Sequence, residues 1–150
     1  MCRRAQKVMH STNLIFANEK MSLSDGLKGL SEQKSFALAL NYMLHSDEPF
    51  ESRFDRFSLM LEDIGAAKWT TATYFPFLVH PSKYMFVKPT VTQASAEVCR
   101  FEIAYTPKLN WQTYAAVLRF SSYLYEALAD LQPRDMIDVQ SFMWCIAPEI

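Results

Sequence analysis

Apolar and polar residues alternate at helical spacing along most of the chain. Phe50, Phe54, Phe57, Leu61 and Ile64 recur at i, i+4, i+7, i+11 and i+14, and Glu51, Arg53, Asp55, Arg56, Glu62 and Asp63 occupy the opposite face. That spacing predicts an amphipathic helix. Asp47 reads as its N-cap with Pro49 in the first turn, and Gly65 stands where a C′ glycine belongs. Phe36, Leu40, Met43 and Leu44 share one face of another predicted helix, capped by Ser31. Leu23, Leu27 and Leu30 mark a short helix over 22–30, weakened by Gly26 and Gly29. Residues 1–18 carry Val8, Leu14, Ile15 and Phe16 and read as partly helical. This basic end is expected to be a flexible or truncated segment.

The second half continues the pattern. Residues 68–78 are apolar and aromatic and predict a helix that ends near Pro76 or at His80-Pro81. Tyr84-Met85-Phe86-Val87 is a short β-like run, and Phe101, Ile103 and Tyr105 alternate in part. A small two-stranded ribbon of 84–87 with 101–105 is therefore expected. Thr90-Val91-Thr92-Gln93 has capping-box spacing ahead of a helix over 91–99. Asn110 caps the longest predicted helix, 111–131, whose polar stripe is only Gln112, Arg119, Glu126 and Asp130. A helix apolar around so much of its circumference is central to a fold or lies at an interface. Pro133 follows it, and Asp135 caps a last helix over 136–146. The fold class is mainly α: one domain over 1–150, a compact bundle of about six or seven helices with one short ribbon.

Composition narrows the class further. With 50% hydrophobic and 14% aromatic residues, the chain is too apolar to be disordered. Only 3 glycines argue against a turn-dense β protein or a glycine-rich phosphate loop. The 3 cysteines, Cys2, Cys99 and Cys145, are far apart and read as free thiols in a reducing cytosol. No run is long enough to span a bilayer, and Met1-Cys2-Arg3-Arg4 has no apolar stretch behind it as a signal peptide would. A cytoplasmic protein with no membrane partner is expected.

Several blocks look alike to those of a known group. Asn13-Leu14-Ile15-Phe16, Glu19-Lys20-Met21, Phe75-Pro76-Phe77-Leu78, Lys88-Pro89-Thr90-Val91-Thr92 and Asn110-Trp111-x-Thr113-Tyr114 are five of them. The sixth, Pro133-Arg134-Asp135-Met136-Ile137-Asp138-Val139-Gln140-Ser141-Phe142-x-Trp144, is the most distinctive. Together they resemble a family of uncharacterised bacterial proteins. The resemblance is to the C-terminal portion of such proteins, and it implies a bacterial source but no activity and no catalytic residue.

The candidate chemistry is sparse. No acid occurs between Asp63 and Glu97, and Lys68, Lys83 and Lys88 interleave there with Trp69, Tyr74, Phe75, Phe77, Tyr84 and Phe86. Cations that follow phosphates beside aromatic faces that stack on bases would bind single-stranded nucleic acid. The plainer reading places the aromatics in the core and the lysines in solvent. Arg134, Asp135 and Asp138 could line a polar site, or Asp135 caps its helix while Asp138 complements the helix dipole. Thr90, Asn110 and Gln140 complete the candidate binding residues. His10, His45 and His80 lack partners at ligand spacing, so no metal site is expected, and no cofactor is implied.

The leading expectation is a non-enzymatic binding module that works through protein–protein contacts, with another copy of itself or with an upstream domain. The apolar excess of 111–131 and of the 50–64 stripe motivates it. Nucleic-acid binding at 68–88 and an enzyme site around Arg134, Asp135 and Asp138 are the alternatives.

Overall fold

The computed structural model describes residues 1–149, and among them helices account for all regular structure. In chain order these are α1 (Cys2–His10), α2 (Ala17–Gly26), α3 (Leu30–His45), α4 (Phe50–Asp63), α5 (Trp69–Val79), α6 (Pro89–Val98), α7 (Trp111–Ala127) and α8 (Met136–Ile146). A single 3-10 turn, Ala129–Leu131, follows α7. The mainly α class stands, with eight helices rather than six or seven. Contacts gather the chain into two compact units, residues 1–72 and residues 73 onward, and the boundary falls inside α5 rather than in a linker.

In the first unit α3 and α4 pack against each other, and α1 lies against α2 and α3. The α4 stripe does what its spacing predicts. Phe54, Phe57 and Leu61 are fully buried, and the Phe57 ring lies 5.9 Å from that of Phe36 on α3. Trp69 stacks on Phe54 at 6.0 Å. The helix closes in a Schellman turn: Gly65 adopts φ +71°, its N–H donates to the Glu62 carbonyl, and the Ala66 N–H donates to that of Leu61. Gly26 is needed for a different reason. A Cβ there would lie 2.3 Å from the Ile64 carbonyl oxygen, so α2 approaches the end of α4 only without a side chain. The helix starts differ from expectation. Gly29, not Ser31, precedes α3, and Pro49, not Asp47, precedes α4; neither makes a side-chain cap.

In the second unit α8 packs on α6 and on α7. Asn110 caps α7 as predicted, its side chain accepting from the Thr113 N–H at 2.8 Å. Tyr114, Val117 and Phe120 carry the buried face of α7. Helix α6 begins at Lys88-Pro89, with proline at its first position, so the Thr90 capping box does not form. Helix α5 runs through Pro76 and ends at Val79, directly before His80-Pro81, the later of the two expected ends. All residues from 69 to 77 are buried, and that burial outweighs one absent backbone hydrogen bond.

The expected ribbon of 84–87 with 101–105 does not form. Helix side chains satisfy the backbone that a partner strand would have paired. The Tyr114 hydroxyl donates to the Met85 carbonyl at 2.9 Å and accepts from the Met85 N–H at 3.3 Å. The Val87 N–H donates to Thr73 Oγ1 at 2.9 Å. On the other side, Ala104 has φ +46°, which breaks extended alternation, and its carbonyl accepts from Thr113 Oγ1 at 2.8 Å.

Candidate functional site

The polar residues singled out from the sequence fall into three groups. Arg134, Asp135 and Asp138 come together at the start of α8. Asp135 is its N-cap, and Oδ1 accepts from the Ile137 and Asp138 N–H groups at 2.9 and 3.4 Å. Arg134 grips Asp138 with two parallel bonds of 3.0 Å, and the Arg134 backbone N–H adds a third at 2.8 Å. That bidentate contact holds the Asp138 carboxyl well below the usual range, at about 2. Arg134 and Asp135 line a shallow cleft of about 270 Å³ with Ser82, Ser122, Tyr125 and Glu126. Asp138 is not part of its wall. The guanidinium is committed to Asp138 and one Asp135 oxygen to the helix amides, so the trio builds a helix start rather than an acid–base pair.

Lys88 and Thr90 open α6 and Asn110 opens α7. Thr90 is exposed, Asn110 is a cap, and Lys88 is buried. Lys68 and Lys83 are exposed, with Lys68 in the first unit and Lys83 in the second. Trp69, Tyr74, Phe75, Phe77 and Phe86, which alternate with these lysines in sequence, are all core residues. Tyr74 and Phe77 pack on Phe86 at 5.5 and 5.8 Å between ring centroids. These rings therefore offer no faces for base stacking, and Lys88 cannot serve as a surface cation. Gln140 stands apart: it is buried on α8, and neither amide atom has a hydrogen-bond partner among the described residues. Among the described residues no three His, Cys, Asp or Glu side chains converge as metal ligands.

The surplus apolar surface expected on the 50–64 stripe and on α7 is found chiefly elsewhere. The stripe on α4 is core, and α7 leaves Tyr123 and Tyr125 exposed while its aliphatic residues pack inward or to the side. Helix α8 is the element that is apolar nearly all round yet covered on one side only. Met136, Val139 and Met143 face inward. Ile137, Ser141, Trp144 and Cys145 recur at i, i+4, i+7 and i+8 and face solvent. Ile137 is 40% and Trp144 49% exposed. Asp138, three residues before Ser141 and seven before Cys145, borders that face, and its charge is paired with Arg134. Periodicity showed 136–146 to be apolar, but it could not show which of its two apolar faces the fold leaves uncovered.

No family model, curated protein or solved structure matches the chain. Among the described residues no helix is long and apolar enough to cross a membrane.

Proposed function

We propose that this protein is a non-enzymatic helical binding module, that it acts by protein–protein contact, and that the partner is a second copy docked through the outward face of α8. The observation that carries this reading is the outward row of Ile137, Ser141, Trp144 and Cys145 with its half-exposed tryptophan. Interface cores are depleted of charge and enriched in aromatic residues, and tryptophan is a frequent energetic anchor. The charge that borders the row, Asp138, is paired with Arg134 within the chain, so the row can meet its own copy across a two-fold axis without net like-charge repulsion. Ile137 and Trp144 are two turns apart, about 10 Å along the axis at 1.5 Å per residue. In an antiparallel pair each Trp144 would cover the partner's Ile137. The bacterial family that the sequence blocks resemble remains part of this proposal, as the group in which the same face is expected.

Light scattering coupled to size exclusion tests it. The expected result is a dimer whose population grows with concentration and is insensitive to salt, and which Trp144→Ala abolishes without changing the helical circular dichroism. A wild-type chain that remains monomeric at the highest attainable concentration would overturn it.

A further inference from the structure

The first unit carries a second surface that the α8 contact leaves unexplained. Helix α1 lies beside α3, joined by the Cys2 thiol, which donates to the Gln33 carbonyl at 2.8 Å. Between them runs an open groove of about 520 Å³ lined by Arg3, Arg4, Lys34, Gln33 and Leu30, with no carboxylate in its wall. Leu30, Lys34 and Leu38 recur at i, i+4 and i+8 and are all exposed. Leu30 is 83% and Leu38 65% exposed, so a bare leucine stands one turn to either side of Lys34, with Leu30 in the groove's wall. Arg3, Arg4 and Lys34 take part in no ion pair among the described residues.

The complementary surface is on α4. Glu51, Asp55 and Leu59 recur at i, i+4 and i+8 on its outward face, and Leu59 is 62% exposed. Its helix-surface neighbours, at i−4, i+3 and i+4, are Asp55, Glu62 and Asp63. None of these carboxylates is held in an ion pair among the described residues. The one cation on this side, Arg56, lies over the Tyr42 ring at 4.5 Å. One surface is thus cationic with bare leucines, and the other is anionic with a bare leucine.

We propose that the α1–α3 groove receives the acidic face of α4 from a second copy, with Leu59 against the Leu30 and Leu38 row and the carboxylates over Arg3, Arg4 and Lys34. The contact joins two different surfaces, so each copy keeps one groove and one α4 face open. Such a head-to-tail contact grows into rings or open chains rather than stopping at a dimer. It is electrostatic and on the surface, so salt governs it.

The test uses the full chain in a Trp144→Ala background, which removes the α8 contact. At low ionic strength, where the Debye length is about 30 Å, this protein is expected to form species larger than one chain. Near physiological salt, with a Debye length of about 8 Å, association should weaken at least about tenfold. A groove variant (Arg3→Glu, Arg4→Glu, Lys34→Glu) and an α4 variant (Glu51→Lys, Asp55→Lys, Glu62→Lys) should each remain monomeric alone. Mixed together they should reassociate, because each now presents the charge the other lacks. All six positions are exposed, so circular dichroism should show both variants folded. A background protein that stays monomeric at low salt, or a mixture that does not reassociate, would overturn the proposal. A salt-insensitive dimer that survives Trp144→Ala would overturn this proposal as well as the α8 contact, because the groove contact is salt-governed and does not stop at a dimer.

Discussion

Asp138 sits in an environment that departs clearly from that of a carboxylate in solution. It accepts from the Arg134 guanidinium, which is the largest cause of its low pKa, and from the Arg134 backbone N–H. The carboxyl falls from an ordinary 3.8 to about 2. A folded-state pKa below the unfolded one means that the charged form is favoured by folding. The stabilisation is therefore present above pH about 4 and is lost as pH falls through about 2. A carboxyl-detected NMR titration should give Asp138 a midpoint near 2, and Arg134→Ala should return it towards the ordinary aspartate value. An unshifted midpoint in the unmodified protein would show that the bidentate contact does not persist in solution. At this scale the sequence was readable where the chemistry is local. Asp135 and Asn110 are caps and Gly65 is a C′ glycine because each acts on its own turn. Lys88 and Gln140 were not readable in this way, since what buries them comes from elsewhere in the chain.

Among the elements, the segment 85–87 shows how a distant side chain overrides a local pattern. Its residues have strand chemistry, and an isolated reading pairs them with another strand. The phenol of Tyr114, 29 positions away, instead bonds both the N–H and the carbonyl of Met85. Burial pushes that phenol well above its ordinary pKa, so it is neutral and able to donate throughout the physiological range. Tyr114→Phe keeps the ring and removes both bonds, leaving the Met85 N–H and carbonyl without these partners inside the core. The expected cost is about 1–3 kcal/mol in denaturant unfolding. A loss within about 0.5 kcal/mol of zero would mean that the hydroxyl does not hold this segment. The same contrast separates α4 from α8. The α4 stripe was legible because polar residues mark its outer face. The apolar residues of α8 surround the helix, and only the packing of α6 and α7 decides which of them remain outside.

For the whole molecule, the thiols report on assembly. Cys145 is exposed on the uncovered face of α8, whereas Cys2 and Cys99 are half-buried. The Cys2 thiol is bonded to the Gln33 carbonyl, and burial pushes the Cys99 thiol up, which lowers its thiolate fraction. A chromogenic disulfide reagent should therefore find one fast thiol and two slow ones, and Cys145→Ser should remove the fast phase alone. If a second copy covers α8, the fast phase should slow as protein concentration rises through the range in which light scattering detects the dimer. The phase of Cys99, which is half-buried at the end of α6, should not change. The groove contact lies on α1, α3 and α4, so raising the salt should leave Cys145 protection intact while larger assemblies dissolve. A dimer whose Cys145 reacts as fast as that of the monomer would place the interface elsewhere, and the outward face of α8 would then lose its claim to be the surface on which this protein works.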